Sequence, residues 1–224
     1  MGSKVTFSKI YNWMLENPEV IAASRREEHE FWYDCVGLSP DTGCIFELGA
    51  YKCASTNTLA AACQADGRSR NLGTSLSSLD GCKADVPASD YKLKKRIHPE
   101  LQDQVTFWIS ESLDFLKGMS EADHTAHLAF VLIDDDHGCP HVYHEFKLIR
   151  DMVLPGGIVS FHDTDFTGVR DSITKLEIDN CFEGWTEMDT PYAVGEALPD
   201  ADVGFMYPAT ENYWSVRAWR KNDL

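Results

Sequence analysis

Short apolar runs alternate with longer amphipathic stretches along this chain, and the alternation predicts strands separated by helices. Strands are expected at residues 44–49, 74–79, 105–109, 129–133 and 158–161. Helices are expected in two N-terminal segments divided by Pro18, and at residues 55–63, 113–119 and 142–153. Pro155, Gly156 and Gly157 predict a turn, and residues 203–207 and 213–219 predict a terminal antiparallel pair. The order of elements therefore favours an α/β fold, with a mainly parallel sheet covered by helices on both faces.

Composition narrows the classes of partner. The chain has 224 residues, of which 20 are basic and 36 acidic, so its formal charge is −16. Phosphates would be repelled, which argues against nucleic acid or an anionic membrane as the main partner. No apolar run reaches the ~20 residues of a membrane-spanning helix. Seven cysteines without a CxxC pair favour reduced thiols. We therefore expect a soluble, cytoplasmic protein.

Polar side chains gather where the predicted strands end. In chain order they are Glu47 and Gly49, then Asp80, then Ser110 and Glu111, then Asp134, Asp135, Asp136 and His137, and finally His162 and Asp163. Ligands of an open parallel sheet bind outside the carboxyl ends of its strands. The pattern therefore predicts a ligand site at this edge, although any one of these residues could serve only as a helix cap or turn former.

The turn after the first strand suggests what the ligand contains. It lacks both the Gly-x-Gly-x-x-Gly of nicotinamide binders and the Gly-Lys-Ser/Thr of phosphate-binding loops. Gly49 would still let a ligand approach the backbone closely. Asp80, after the second strand, could accept hydrogen bonds from two ribose hydroxyls. These features predict a site for a nucleoside without a pyrophosphate.

Three segments resemble the class I S-adenosylmethionine-dependent methyltransferases. The stretch Phe46-Glu-Leu-Gly-Ala-Tyr-Lys-Cys-Ala-Ser55 is similar to the cofactor loop of the metal-dependent catechol O-methyltransferase group. Val131-Leu-Ile-Asp-Asp-Asp-His137 and Leu154-Pro-Gly-Gly-Ile-Val-Ser-Phe-His-Asp-Thr164 resemble small bacterial methyltransferases, including those that methylate sugar hydroxyls of natural products. The resemblance implies a Rossmann-like, doubly wound, seven-stranded sheet with an antiparallel C-terminal strand. A helical cap (1–36) would precede the catalytic domain (37–224).

The resemblance also implies roles for single residues in binding S-adenosylmethionine. Gly49, Ala50 and Tyr51 would line its methionine part, and Ser55 would hold its carboxylate. Asp80 would bind its ribose, and Ser110 and Glu111 would bind its adenine. Glu47 and Asp134 would also lie in the cofactor site. Cys53 stands where the family loop usually has a glycine.

A metal site is implied at the fourth and fifth strand ends. Asp134, His162 and Asp163 would bind Mg²⁺ or Mn²⁺, and the imidazole would shift the preference from Mg²⁺ towards Mn²⁺, Fe²⁺ or Zn²⁺. His137 would take a proton from the acceptor hydroxyl. The expected function is metal-assisted O-methyl transfer, with Asp134 and His137 catalytic, to a small hydroxylated acceptor. Aromatic N-terminal helices make a homodimer plausible.

Two other functions remain open from the residues. His137, His141 and His144 have spacings of four and three, so a metal-dependent hydrolase could use the cluster from Asp134 to His144. The second alternative is a cofactor-binding protein without catalysis. His29, His98, His124 and His127 are expected to be solvated.

Overall fold

The computed structural model describes residues 5–20, 24–67, 72–76, 93–121, 127–190 and 216–223. Its helices are α1 (Phe7–Glu16), α2 (Arg26–Leu38), α3 (Ala54–Asp66), α4 (Ser112–Glu121), α5 (Cys139–Ile149) and α6 (Thr167–Ile178), with a 3₁₀ helix at Pro99–Gln104. Its strands are β1 (Cys44–Leu48), β2 (Leu72–Leu76), β3 (Val105–Ile109), β4 (Leu128–Ile133), β5 (Val153–His162), β6 (Trp185–Glu187) and β7 (Val216–Lys221).

The described strands form one sheet in the order β3-β2-β1-β4-β5-β7-β6. The neighbours from β3 through β5 pair in parallel, whereas β7 runs antiparallel to both β5 and β6. The α/β class is therefore confirmed. The chain winds outwards from β1 to β3 and then returns to begin β4 beside β1, so a crevice opens at the carboxyl ends of β1 and β4.

Two apolar cores cover the two faces of the sheet. Ile45, Phe130 and Leu132 pack in a cluster with α2 and α3, whereas Val131 and Ile133 pack with α5 and α6. Successive side chains of a strand point to opposite faces, so the continuous apolar run of β4 supplies both cores. The same alternation decides on which side of the sheet the polar residues after β4 emerge.

Several predicted boundaries were wrong. The helix predicted at 142–153 is Cys139–Ile149, and the chain has already entered β5 at Val153. The turn predicted at 155–157 lies inside β5, where pairing with β4 jumps from Leu128–Val153 to Phe130–Ile158. Pro155 has no N–H for the ladder and Gly156 has a φ of +74°, so these residues make an irregularity in the strand.

The remaining differences concern the second strand and the C-terminal region. The second strand begins at Leu72, before the predicted Thr74. β7 pairs with β5 and with the short β6 at Trp185–Glu187, which the sequence pattern did not predict. The predicted strand at 203–207 lies outside the described residues. A three-residue strand carries too little periodicity to be recognised from sequence.

His98 was predicted to be solvated, and this was wrong because it is buried. The same prediction for His29 was also wrong: His29 is buried between α2 and α3. Its Nδ1 lies 2.8 Å from Thr58 Oγ1 and its Nε2 lies 2.9 Å from Ser24 Oγ. Because the Thr58 hydroxyl donates to Ala54 O, it accepts from Nδ1–H, and Nε2 accepts from Ser24. Burial lowers the pKa of His29 to about 4, so the ring is neutral at pH 7.

We expect His29 to make stability depend on pH. Its ordinary pKa is 6.5 and its folded pKa about 4, so between these values the unfolded chain binds a proton that the native chain does not. The free energy of unfolding should therefore fall by up to about 3 kcal/mol as the pH drops from 6.5 to 4. Urea titrations of the wild type and His29→Gln should show this dependence weakened in the variant. His144→Gln, on an exposed position, should follow the wild type, and identical slopes in all three would contradict the assignment.

No helix in the described part of the chain is long and apolar enough to cross a membrane. The six described cysteines, Cys35, Cys44, Cys53, Cys63, Cys139 and Cys181, are free thiols.

Candidate active site

Strand register brings three of the predicted residues into one row. Leu48 of β1 pairs with Ile133 of β4, and Ile133 pairs with Phe161 of β5. The residues that come next, Gly49, Asp134 and His162, therefore lie side by side at the carboxyl edge of the sheet. The backbone N–H of Asp134 donates to Leu48 O across 2.9 Å, which joins the turn after β4 to the end of β1.

Gly49 makes the close approach between these two turns. Its φ is +95°, and a Cβ at this position would overlap the carbonyl group of Asp134 and lie 2.7 Å from the Cα of Asp135. No residue with a side chain fits there without displacing backbone. Ala50 is buried directly after it, and Tyr51 is half-buried. The absence of a Cβ at Gly49 thus lets the turns after β1 and β4 pack backbone against backbone.

Cys53, where the resemblance implied a glycine, has a backbone conformation that favours glycine. It adopts φ +66° and ψ +20°, the left-handed conformation, immediately before α3 begins. Only a glycine takes this conformation without strain, which explains why the family prefers glycine there. Cys53 is buried, and this burial raises the pKa of its thiol to about 12, so it is not a nucleophile at neutral pH. Ser55 lies in the first turn of α3, where backbone N–H groups favour a carboxylate.

Glu47 lies deeper than the other predicted site residues. It is fully buried within β1, and its Oε2 accepts a hydrogen bond of 2.5 Å from the hydroxyl of Thr56 in α3. This contact joins β1 to the first turn of α3. Glu47 therefore helps to fix the turn between them, which contains Gly49.

The predicted metal ligands do converge. One ligand atom from each of Asp134, His162 and Asp163 lies within 4.8 Å of the others. His162 Nδ1 is 2.9 Å from Asp134 Oδ1 and 3.4 Å from Asp163 Oδ2. The side chains of Asp134 and Asp163 are 20% and 25% exposed, so the cluster is open on one side. Two carboxylates and one imidazole are a donor set that Mn²⁺, Fe²⁺ and Zn²⁺ accept.

The charges in this cluster shift the pKa values of its members. Burial lowers the pKa of His162, but the charges of Asp134 and Asp163 outweigh this and hold it well above its ordinary value. Burial likewise opposes ionisation of Asp163, but the charge of His162 and hydrogen bonds from His162 and His137 hold its pKa below the usual range. Without a metal the proton on His162 balances one of the two carboxylate charges, and a divalent cation would compete with that proton.

His137 joins the same cluster from the turn before α5. Its Nε2 lies 2.7 Å from Asp163 Oδ2. Asp163 is ionised and can only accept, so Nε2 carries the hydrogen and Nδ1 is the nitrogen that can receive a proton. The ring also packs on Phe166, with centroids 4.9 Å apart. Burial lowers the pKa of His137, but the bond and charge of Asp163 raise it overall.

The residues predicted to bind the adenine follow β3, at the edge of the described sheet. Ser110 and Glu111 follow β3, and the Ser110 hydroxyl donates to the Glu111 carbonyl across 3.2 Å. Both side chains are half-buried. Asp80, the predicted ribose ligand, lies outside the described residues.

Helix α2 contributes two residues to the site: Trp32, one of the aromatic residues of the N-terminal helices, and Glu28, which the sequence did not single out. Glu28 is buried, and its Oε2 lies 3.7 Å from His162 Nε2. Trp32 packs edge-on against the His162 ring, with centroids 5.2 Å apart, and its indole N–H donates to Ser160. A glutamate and a tryptophan four residues apart on one helix face were the available signal, but only the packing of α2 reveals what they touch.

The three histidines considered as a joint metal site are separated. His137 lies before α5 and bonds Asp163, whereas His141 contacts Asp135 and Glu145. His144 is exposed one turn further along. Pro140 in the first turn of α5 explains the split, because it begins the helix after His137.

Similar structures share this fold across almost the whole chain. An O-methyltransferase from Bacillus cereus in complex with SAH is 15% identical, with a TM-score of 0.63 over 99% of this chain and 93% of that chain. The O-methyltransferase TomG from Streptomyces achromogenes, in complex with SAM, is 14% identical, with a TM-score of 0.59 over 100% and 92%. MycE methyltransferase, in complex with Mg and SAH, is 12% identical, with a TM-score of 0.54 over 98% and 54%.

Sequence comparison gives the family directly. No curated protein matches the chain significantly. A family model described as a methyltransferase domain matches residues 46–164, which run from the middle of β1 to just past the end of β5. This range contains the Gly49 turn, the acidic cluster and His137, and it is more than half of the chain. The chain therefore belongs to this methyltransferase-domain family.

Proposed function

We propose that the protein transfers a methyl group from S-adenosylmethionine to a hydroxyl oxygen of a small molecule, assisted by a divalent cation. The observation that carries the proposal is the meeting of Asp134, His162, Asp163 and His137 beside the Gly49 turn. The similar O-methyltransferases with bound SAM, SAH or Mg support it. A hydrolase built on three histidines is disfavoured because those histidines diverge.

The cofactor half of the site rests on the turn after β1. S-adenosylmethionine supplies, when bound, an electrophilic methyl group on its sulfonium sulfur. Gly49 and Ala50 would accept its methionine part against bare backbone, and Ser55 with the N-terminus of α3 would hold its carboxylate. The ribose would bind Asp80 and the adenine would bind near Ser110 and Glu111.

The acceptor half of the site rests on the acidic cluster. Asp134, His162 and Asp163 would hold the cation, which lowers the pKa of an oxygen bound to it. His137 would take the hydroxyl proton on Nδ1, while Asp163 holds its Nε2–H and so fixes the ring. The exposed side of the cluster is where the acceptor would enter, and alignment with the methyl group would supply much of the acceleration.

Calorimetric titration with S-adenosylhomocysteine tests the cofactor assignment. The wild type should bind it in the micromolar range, and Asp80→Ala should weaken binding by about 1–3 kcal/mol, because charged hydrogen bonds to the ribose are lost. Asp114→Ala is a control, since Asp114 is exposed on α4 and should leave the affinity unchanged. An absence of binding by the wild type, with and without Mn²⁺, would overturn the proposed function.

The pH dependence of turnover tests His137. Only the neutral ring can accept a proton, so kcat should rise with pH and level off above the pKa that His137 has in the metal-loaded enzyme. In His137→Ala, kcat should no longer rise with pH in this way, and at the plateau it should be about 10²-fold lower than in the wild type. The profile is recorded at saturating Mn²⁺, since a cation beside Asp163 lowers the pKa of the neighbouring imidazole. His144→Ala should behave as the wild type, and an unchanged profile in His137→Ala would remove it as the base.

A further inference from the structure

A second acidic cluster lies on the opposite side of β4 from the one just described. The alternation of side chains along β4 continues into the turn. The Asp134 side chain therefore contacts His162, and the Asp135 side chain contacts α5 on the other side. There, one ligand atom from each of Asp135, His141 and Glu145 lies within 4.8 Å of the others. His141 Nε2 is 3.3 Å from Glu145 Oε1 and 3.7 Å from Asp135 Oδ2. The methyl-transfer chemistry proposed above uses none of these three.

The two carboxylates of this cluster share a single ionisable neighbour, the His141 ring. Asp135 is 3% exposed and Glu145 is fully buried. Neither oxygen of either carboxylate accepts a hydrogen bond from any residue that the structure describes. No Lys or Arg in the same ranges pairs with them, and the one nearby polar bond, 2.8 Å between Ser112 Oγ and His141 Nε2, satisfies only His141. Leaving a buried carboxylate without a hydrogen bond costs several kcal/mol, so it is rare.

Charge and donor type indicate what would complete the cluster. With a neutral imidazole, Asp135 and Glu145 carry two negative charges, which one divalent cation balances; a proton on His141 balances only one. Two carboxylates and an imidazole nitrogen are hard and borderline donors that Zn²⁺ accepts. These side chains are at most 15% exposed, and such closure is typical of structural zinc sites.

We infer that Asp135, His141 and Glu145 form a second, structural divalent-cation site that takes Zn²⁺, with the hydroxyl of Ser112 beside it. The bound cation joins the end of β4 to the first two turns of α5 and to the first residue of α4. Ser112 directly follows Ser110 and Glu111, so the site would stabilise the segment that is proposed to bind the adenine. The inference does not depend on the proposed function, because occupancy is measured without turnover.

Cobalt is the probe, because Co²⁺ follows zinc ligands and absorbs visible light. Metal-free protein is titrated with Co²⁺, and metal content is counted by mass spectrometry after equilibration with Zn²⁺ and gel filtration. The wild type should bind two cations. Asp163→Asn should lose the cation of the open cluster and keep the buried one.

Glu145→Gln should keep the cation of the open cluster and lose affinity at the buried site. Loss of a residue that only supports a metal ligand costs roughly 10- to 100-fold in affinity, and the loss of a ligand itself should cost more. Glu183→Gln, on an exposed position, should leave the stoichiometry and the spectrum unchanged. An unaltered spectrum and stoichiometry in Glu145→Gln would overturn the inference. So would a wild type whose every cation is removed by Asp163→Asn.

A second measurement covers the case in which Glu145→Gln does not fold. Crystals of the wild type equilibrated with Zn²⁺ should give an anomalous peak within bonding distance of His141 Nε2 and of oxygens from Asp135 and Glu145. A peak at Asp134, His162 and Asp163 alone would contradict the second site.

Discussion

Asp163→Asn should lower kcat by about 10³-fold, because one oxygen of this residue serves both halves of the proposed chemistry. Asp163 Oδ2 lies 2.7 Å from His137 Nε2 and 3.4 Å from His162 Nδ1. An amide in its place weakens metal binding and no longer attracts the His137 proton, so the base is also poorly oriented. The measurement is single-turnover methyl transfer at saturating Mn²⁺ and S-adenosylmethionine.

Asparagine is the informative replacement because Asp163 has a φ of +51°. Asparagine tolerates this left-handed conformation better than alanine, so the backbone should be preserved. Binding of S-adenosylhomocysteine should stay within about twofold of the wild type, which separates a lost reaction from a lost fold. Asp171→Asn, on the exposed face of α6, is the matched control. Metal-independent turnover at the wild-type rate in Asp163→Asn would refute the role of the cluster.

Gly49→Ala should destabilise the protein by about 3–5 kcal/mol, combining left-handed strain with a backbone overlap that cannot relax. The new Cβ would overlap the carbonyl group of Asp134 and approach Asp135 Cα to 2.7 Å. The turns after β1 and β4 would have to move apart, which should also weaken binding of S-adenosylhomocysteine. Urea unfolding measures the first effect, and calorimetry on the folded fraction measures the second.

Gly118→Ala controls for the general effect of adding a methyl group. Gly118 lies in the interior of α4, and nothing is within 4 Å of a Cβ placed there. Replacing a helical glycine by alanine is stabilising by roughly 0.5–1 kcal/mol. If Gly49→Ala were as stable as the wild type, the close approach of the two turns would be wrong.

The sequence predicted that several polar residues meet at one edge of the sheet, and this has a definite physical reason. Strands of a parallel sheet are apolar along their length and end in the residues that face the crevice. Gly49, Asp134 and His162 could therefore be selected from their places after apolar runs, before any contact was known. Boundaries were less accurate where a strand is irregular, as at Pro155 and Gly156, because local propensity there favours a turn and pairing with β4 overrides it.

Local patterns alone could not assign partners to the titratable residues. His137, His141 and His144 share a spacing that suggests one cluster, yet His137 bonds Asp163 and His141 contacts Glu145. Asp134 and Asp135 are adjacent in sequence and belong to clusters on opposite sides of the sheet. The burial of His29 could not be predicted from sequence either, because it depends on the packing of α2 against Thr58 of α3.

From its sequence alone, this chain is an α/β protein with a glycine turn and carboxylates at the carboxyl ends of its strands. Those features follow from hydrophobic periodicity and residue type, which act over a few neighbouring positions. Only the tertiary structure decided that Asp163 bonds His137 and that α2 brings Glu28 to His162. It also decided that Asp135 and Glu145 meet away from the crevice. Such contacts join residues far apart in sequence, and strand register and helix packing determine them.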